Sequence, residues 1–169
     1  HRTSRRQRQM CIRDRFSTGP TRKRQGWTAE ALETESLGRS HRATHPKSRI
    51  KECIARIHRV LQLPDDYITA IVPGSDTGAV EMAMWSLLGQ RGVDVLGWEA
   101  FGKTWMKDAL AELKLDNLTC HEAPYGAFPD LSQVNFEHDV VFPWNGTASG
   151  VKVPDGDWIP DDRAGLTIC

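Results

Sequence analysis

Apolar residues recur at helical spacing in the first half of the chain. Between positions 47 and 63 they are three or four residues apart and define one stripe: Ile50, Cys53, Ile54, Ile57, Val60 and Leu61. This pattern predicts a helix over residues 47–63, stopped by Pro64, with Cys53 in a core. A shorter helix is expected over residues 28–37, because Thr28 is a suitable N-cap and Glu30 lies in the first turn.

Short apolar runs alternate with helical segments in the second half. Strands are predicted at residues 67–73, 93–98, 117–122 and 139–143, with another beginning at residues 166–169. Helices are predicted at residues 79–88 and 101–113, the second with these side chains toward a core: Trp105, Met106, Leu110 and Leu113. Strands alternating with helices predict an α/β domain with a largely parallel sheet.

Ligands of such sheets bind beyond the carboxyl ends of the strands, which directs attention to the turns at residues 74–78, 99–102 and 144–150. The first turn, in the run PGSDTGA, could hold a phosphate on the free backbone N–H groups of a helix start. The same run is also compatible with an ordinary turn in which Asp76 or Thr77 is the N-cap.

The remaining candidates are equally ambiguous on pattern alone. His41 and Arg42 could bind an anion or belong to a solvated basic loop. Phe101 could stack on a flat ring or simply pack against its neighbours. The run NGTASG at residues 145–150 could offer polar groups to a ligand or form a connecting turn.

Charge is distributed unevenly along the chain, although the formal net charge is zero. Residues 1–15 contain six arginines and only one acid, Asp14, whereas residues from Gln25 onward contain 13 basic and 21 acidic residues, a net charge of −8. The leader could bind nucleic acid, but its lack of apolar residues and of a period favours a non-native or solvated segment. We therefore do not expect a nucleic-acid partner.

The four cysteines, Cys11, Cys53, Cys120 and Cys169, are widely spaced and form no CxxC pair. This spacing predicts neither a metal site nor a disulfide framework, and it suits a reducing cytoplasm. No apolar run reaches the roughly 18 residues of a membrane span, so no membrane association is expected.

Five runs in order carry a family resemblance: FSTGP (16–20), GRSHR (38–42), GSDTGA (74–79), WEAFG (98–102) and NGTASG (145–150). Together they resemble the phosphoserine aminotransferases, and the resemblance extends over residues 16–169. It implies a partial large domain of a fold-type-I pyridoxal-phosphate-dependent transferase, from a protein that acts as a homodimer. The implied reaction, in serine biosynthesis, moves an amino group between glutamate and 3-phosphohydroxypyruvate.

The resemblance also implies roles for individual residues. Ser75, Asp76 and Thr77 would hold the cofactor phosphate. Phe101 would stack on the cofactor ring, and Thr147 would contact its 3′-oxygen side. The positions that match binding of the acidic substrates are Thr18, His41 and Arg42. Thr77 and Phe101 depart from many members of the family, which have arginine and tryptophan there.

No catalytic residue is assigned within the chain. The lysine that forms a Schiff base with the cofactor, and the aspartate for its ring nitrogen, are expected beyond Cys169. The 169-residue chain alone is therefore expected not to transaminate.

Three alternatives remain open at the level of sequence. The first is another fold-type-I enzyme, such as an alanine–glyoxylate-type aminotransferase or a cysteine desulfurase. The others are a nucleic-acid-binding module that uses the arginine-rich leader and a non-catalytic globular domain.

Overall fold

The computed structural model describes residues 23–169, which belong to two compact units divided between Ala70 and Ile71. The arginine-rich leader, Thr18 and the FSTGP run lie outside the described residues, so the predictions made for them stay predictions. Within residues 23–169, no helix is both long and apolar enough to cross a membrane.

The first unit is built on one long helix, α1, at Thr44–Leu61. The predicted helix is confirmed, although it begins three residues earlier and ends at Leu61; the φ of 53° at the next residue, Gln62, turns the chain before Pro64. Cys53 is exposed, so its predicted core position is wrong. The physical reason is that, within residues 23–70, no buried cluster surrounds the stripe, and Pro46 is the one buried residue there.

Two other predicted elements are also wrong. Of the helix expected over residues 28–37, only a 3-10 turn at Ala29–Ala31 forms, and Leu32 and Leu37 beyond it are exposed. Residues 67–73 form no strand, and Ile68 is 95% exposed. In neither segment do the apolar side chains find the burial that would stabilise a helix or strand.

The second unit contains a four-stranded parallel sheet, as predicted. Its strands are β1 at Val93–Gly97, β2 at Leu118–Glu122, β3 at Asp139–Val141 and β4 at Thr167–Ile168. The strand order is β2-β1-β3-β4, which makes β1 and β3 neighbours at the centre. This α/β architecture agrees with the predicted fold class.

Two helices pack on one face of this sheet. They are α2 at Asp76–Leu87, which begins three residues before its predicted start, and α3 at Ala100–Lys107. The core between helices and sheet contains Met84, Val93, Val95, Met106, Ala109 and Val141. Leu110, predicted for this core, is 62% exposed, because α3 continues as a π-helical turn at Asp108–Glu112 and its wider spacing rotates the following side chains.

The opposite face of the sheet is covered by segments that connect the strands. Its buried cluster contains Leu96, Trp98, Ala123, Val140, Phe142 and Val153. The ring of Trp158 packs edge-on against Phe142, with 5.0 Å between centroids. Both faces of the central strands are thus covered, which explains why their sequences are apolar rather than alternating.

Candidate functional site

The turns that follow β1 and β3 are joined by the side chain of Glu99. Its Oε1 accepts a hydrogen bond from the N–H of Gly102 at 2.8 Å, and its Oε2 accepts one from the N–H of Ala148 at 3.4 Å. Glu99 is only 3% exposed. The sequence pattern indicates this turn as a candidate ligand site but predicts no role for Glu99.

Glycines allow these segments to approach each other closely. A Cβ on Gly97 would lie 2.8 Å from the carbonyl carbon of Gly102, so the end of β1 and the start of α3 meet backbone to backbone. A Cβ on Gly146 would lie 2.5 Å from Cγ of Glu99. The close packing fixes the spacing between the two turns.

Residues 145–150 form a closed turn, as the connecting-turn interpretation predicts. Asn145 and Lys152 form an isolated antiparallel bridge, and the N–H of Gly146 donates to the carbonyl of Val151 at 2.8 Å. Nε1 of the buried Trp98 donates to the same carbonyl at 3.1 Å. Thr147 is exposed in this turn, and its contact with a ligand stays a prediction.

Phe101 lies in the first turn of α3, directly beyond the carboxyl end of β1. It is 45% exposed, so part of its ring is free to contact a ligand. This exposure disagrees with a core position for Phe101 but is compatible with packing at an edge, so its contact with a ligand stays a prediction.

The N-terminus of α2 has Ser75 as its N-cap, not Asp76 or Thr77 as predicted for the ordinary-turn alternative. The Oγ of Ser75 accepts from the N–H of Gly78 at 3.3 Å, and the carbonyl of Ser75 accepts from Ala79 at 3.0 Å. The N–H groups of Asp76 and Thr77 precede the first acceptors that the helix itself provides. They can donate to an anion, and the hydroxyl proton of Ser75 can do the same.

A cavity of about 160 Å³ lies where β3 and β4 end. Val80, one helical turn beyond Asp76, lines it together with Trp105 of α3. The turn after β3 contributes Pro143 and Asn145 to the same cavity. Elements that carry all three candidate turns of the second unit therefore meet at one edge of the sheet.

The two described candidates of the first unit, His41 and Arg42, lie in the turn that leads into α1. Both are exposed, and the N–H of Arg42 donates to Oγ of Ser40 at 3.2 Å. Arg42 also lines a surface groove with Lys47 and Lys51, which concentrates positive charge there. Their role in binding an acidic substrate stays a prediction.

A second buried carboxylate, Asp94, was not singled out from the sequence. Its Oδ2 lies 2.8 Å from Nε2 of His121, and its Oδ1 lies 2.7 Å from Nδ1 of His138. Burial raises the pKa of Asp94, but hydrogen bonds from the Asn135 N–H and the two histidines outweigh it and leave the pKa below its ordinary value. One signal was available in the sequence, a lone acid inside the apolar strand VDVLG.

Asp94 lies away from the carboxyl edge of the sheet, since it is the second residue of β1. Among residues 23–169, no group of histidine, cysteine and acidic side chains is arranged to hold a metal ion. The hydrogen bonds of Asp94 connect the segment around Asn135 and His138 to β1, at the centre of the sheet.

Comparison with curated proteins identifies two close relatives. Phosphoserine aminotransferase from Methanosarcina barkeri is 54% identical over 154 residues, and the one from Methanosarcina mazei is 55% identical over 154 residues. The match covers 91% of this chain but 42% of each relative, so the chain spans about two fifths of the relatives' length. No family model and no solved structure gives a significant match.

These identities establish that the chain is homologous to phosphoserine aminotransferases over nearly all of its length. The α/β fold with a parallel sheet agrees with the architecture that the sequence resemblance implied.

Proposed function

We propose that this chain is part of an enzyme that transfers an amino group between glutamate and 3-phosphohydroxypyruvate, giving 2-oxoglutarate and phosphoserine. One observation carries the proposal: the identity of 54–55% to phosphoserine aminotransferases extends over 154 residues. The chain spans 42% of these relatives, so the activity is proposed for a protein that has the remaining segments as well.

The cofactor of this reaction is pyridoxal 5′-phosphate, which supplies an electron sink when bound. The start of α2 offers chemistry that fits its phosphate: the N–H groups of Asp76 and Thr77, the hydroxyl of Ser75 and the positive end of the helix dipole. The carboxylate of Asp76 opposes an anion, so we expect this side chain to point toward solvent, where it is exposed.

Two residues at the neighbouring turns fit the ring of the cofactor. The half-exposed Phe101 offers a flat aromatic face at the end of β1. Thr147 offers a hydroxyl to the 3′-oxygen side from the turn after β3. The hydrogen bonds of Glu99 link these two turns and so support a shared role.

Binding of the acidic substrates is proposed for Thr18, His41 and Arg42. The guanidinium of Arg42 can bind a carboxylate or a phosphate through two parallel hydrogen bonds, which suits substrates with two or more negative groups. Lys47 and Lys51 beside it add positive charge. We propose these cations as candidates for binding the substrate phosphate, because Thr77 stands at a position where many members of the family have arginine.

We propose a homodimer in the cytoplasm as the working form, on the basis of the family resemblance. The lysine and the aspartate that complete the cofactor site are proposed to belong to the part of the relatives that this chain does not span. It follows that the 169-residue chain alone does not transaminate.

The proposal is tested with an extended protein, defined as residues 16–169 followed by the remaining carboxyl-terminal part of the Methanosarcina mazei relative. We expect it to bind pyridoxal phosphate and to form phosphoserine in a glutamate-dependent manner, while the 169-residue chain forms none. Arg42→Gln should raise the KM for 3-phosphohydroxypyruvate, and Arg39→Gln, at a nearby exposed arginine, serves as the control.

Each of the other outcomes would overturn a defined part of the proposal. Turnover of alanine and glyoxylate, or of cysteine, in place of phosphoserine would support another fold-type-I enzyme. Failure to bind pyridoxal phosphate would exclude the proposed cofactor chemistry. Turnover by the 169-residue chain would show that the missing segments are not required.

A further inference from the structure

Glu99 is the N-cap residue of α3, and its buried carboxylate serves two segments at once. One oxygen accepts the N–H of Gly102 in the first turn of α3, and the other accepts the N–H of Ala148. A side-chain oxygen at this position also interacts favourably with the helix dipole. The cap alone would need only one of the two oxygens.

The two acceptor contacts lie beside two proposed ligand-binding residues. Gly102 follows Phe101 directly, and Ala148 follows Thr147 directly. Close packing also holds Glu99 in place, because a Cβ at position 146 would lie 2.5 Å from Cγ of Glu99. A displacement of the Glu99 carboxylate would therefore change the spacing between Phe101 and Thr147.

We propose that Glu99 is a positioning residue that holds Phe101 and Thr147 at a fixed separation around the cofactor ring. This inference rests on the proposed function, because it assigns a ligand to both residues. We assign Glu99 no contact with the cofactor, since it is 3% exposed and its carboxylate faces two backbone N–H groups.

The chemistry of the side chain allows its two contacts to be separated by mutation. A glutamine keeps the length but offers one acceptor oxygen, so its NH2 group would face one of the two N–H donors. An aspartate is one methylene shorter and is a preferred N-cap residue. Glu99→Asp should therefore keep the helix cap and lose the longer contact to Ala148.

The test uses the extended protein with Glu99→Gln and Glu99→Asp, and with Glu112→Gln as the control at an exposed acid. We expect both Glu99 variants to weaken pyridoxal phosphate binding by about tenfold, because Phe101 and Thr147 would no longer be held at the separation that the cofactor needs. The circular dichroism band of the bound cofactor should change, and hydrogen exchange at the Ala148 N–H should be faster. Glu112→Gln should change none of these.

The inference and the proposed function fail in different ways. If the unmutated extended protein does not bind pyridoxal phosphate, the proposed function fails. If it binds, and both Glu99 variants match the Glu112→Gln control in affinity and dichroism, the positioning role alone is wrong. If Glu99→Gln does not fold, Glu99→Asp decides: faster exchange at Ala148 with an altered cofactor band supports the role, and an unaltered band contradicts it.

Discussion

Asp94 is an ionised residue inside an apolar strand, and its hydrogen-bond partners compensate for the burial of its charge. It is 1% exposed and accepts hydrogen bonds from His121, His138 and the N–H of Asn135. A buried charge is acceptable only when such partners satisfy it. The cluster is therefore a part of the core rather than a surface ion pair.

We predict that Asp94→Asn lowers the free energy of unfolding by about 1–3 kcal/mol, the cost of leaving a buried polar group without its partner. The asparagine provides one acceptor oxygen where the carboxylate provided two. Chemical denaturation of the two proteins measures the difference. Asp162→Asn, at an exposed acid of the same unit, is the control and should be neutral; equal losses in both variants would contradict the assigned role of Asp94.

Stability should also depend on pH through the same residue. The pKa of Asp94 is lowered in the folded chain, so its contribution is complete above the ordinary pKa of about 3.9 and is lost as the pH falls through the lowered value. Thermal unfolding at a series of pH values from 7 to about 2 should show a steeper acid loss for the unmutated chain than for Asp94→Asn. An equal loss of stability with falling pH in the two proteins would contradict this role of Asp94.

Ser75 offers a test that separates capping from anion binding. Ser75→Ala removes the cap of α2 and should cost about 1 kcal/mol of stability, whereas Ser75→Asp keeps an acceptor and should cost little. The aspartate adds a negative charge beside the proposed phosphate, so only this variant should combine near-normal stability with weak pyridoxal phosphate binding. Unchanged binding in Ser75→Asp would argue against a phosphate at the start of α2.

At the scale of elements, the join between β1 and α3 depends on two glycines. Gly97→Ala would place a Cβ 2.8 Å from the backbone of Gly102. Because the end of β1 is buried, this steric clash can be relieved only if α3 moves. We expect a lower melting temperature and weaker pyridoxal phosphate binding in the extended protein. Gly156→Ala is the matched control, because its Cβ meets no atom within 4 Å; an equal effect at both glycines would refute the steric explanation.

The elements that sequence patterns predicted well are those whose side chains are buried or strictly periodic. α1 has its stripe at intervals of three and four, and three of the four observed strands, β1, β3 and β4, coincide with short apolar runs. The segments 28–37 and 67–73 lie exposed, as Ile68 illustrates. A local pattern reports propensity. α1 is 18 residues long and forms although its stripe stays largely exposed, whereas the two shorter segments would need a partner to bury against.

The candidate site was predictable in outline because its turns follow strands of a parallel sheet. Glu99 and Asp94 were not, because their partners are distant in sequence: Ala148 lies 49 residues beyond Glu99, and His138 lies 44 residues beyond Asp94. Only the strand order, which makes β1 and β3 neighbours, brings these pairs together. The N-cap of α2 was misassigned by one or two residues for a simpler reason, since Ser75, Asp76 and Thr77 are all suitable caps.

At the scale of the whole molecule, the proposed binding roles are distributed along the chain. We propose that residues 74–150 hold the cofactor through the start of α2, the ring of Phe101 and the hydroxyl of Thr147, and that His41 and Arg42 bind the acidic substrates. The relatives are more than twice as long as the matched stretch, which covers 42% of each. A complete transaminase site, in this account, needs residues from that further length.

The measurement that tests the account most directly is to read the coding sequence beyond the codon for Cys169. We predict an open frame similar to the remaining part of the Methanosarcina relatives, with an aspartate soon after Cys169 and a lysine later that complete the cofactor site. A frame that closes at Cys169, or that continues into unrelated sequence, would contradict the claim that this chain is part of a phosphoserine aminotransferase.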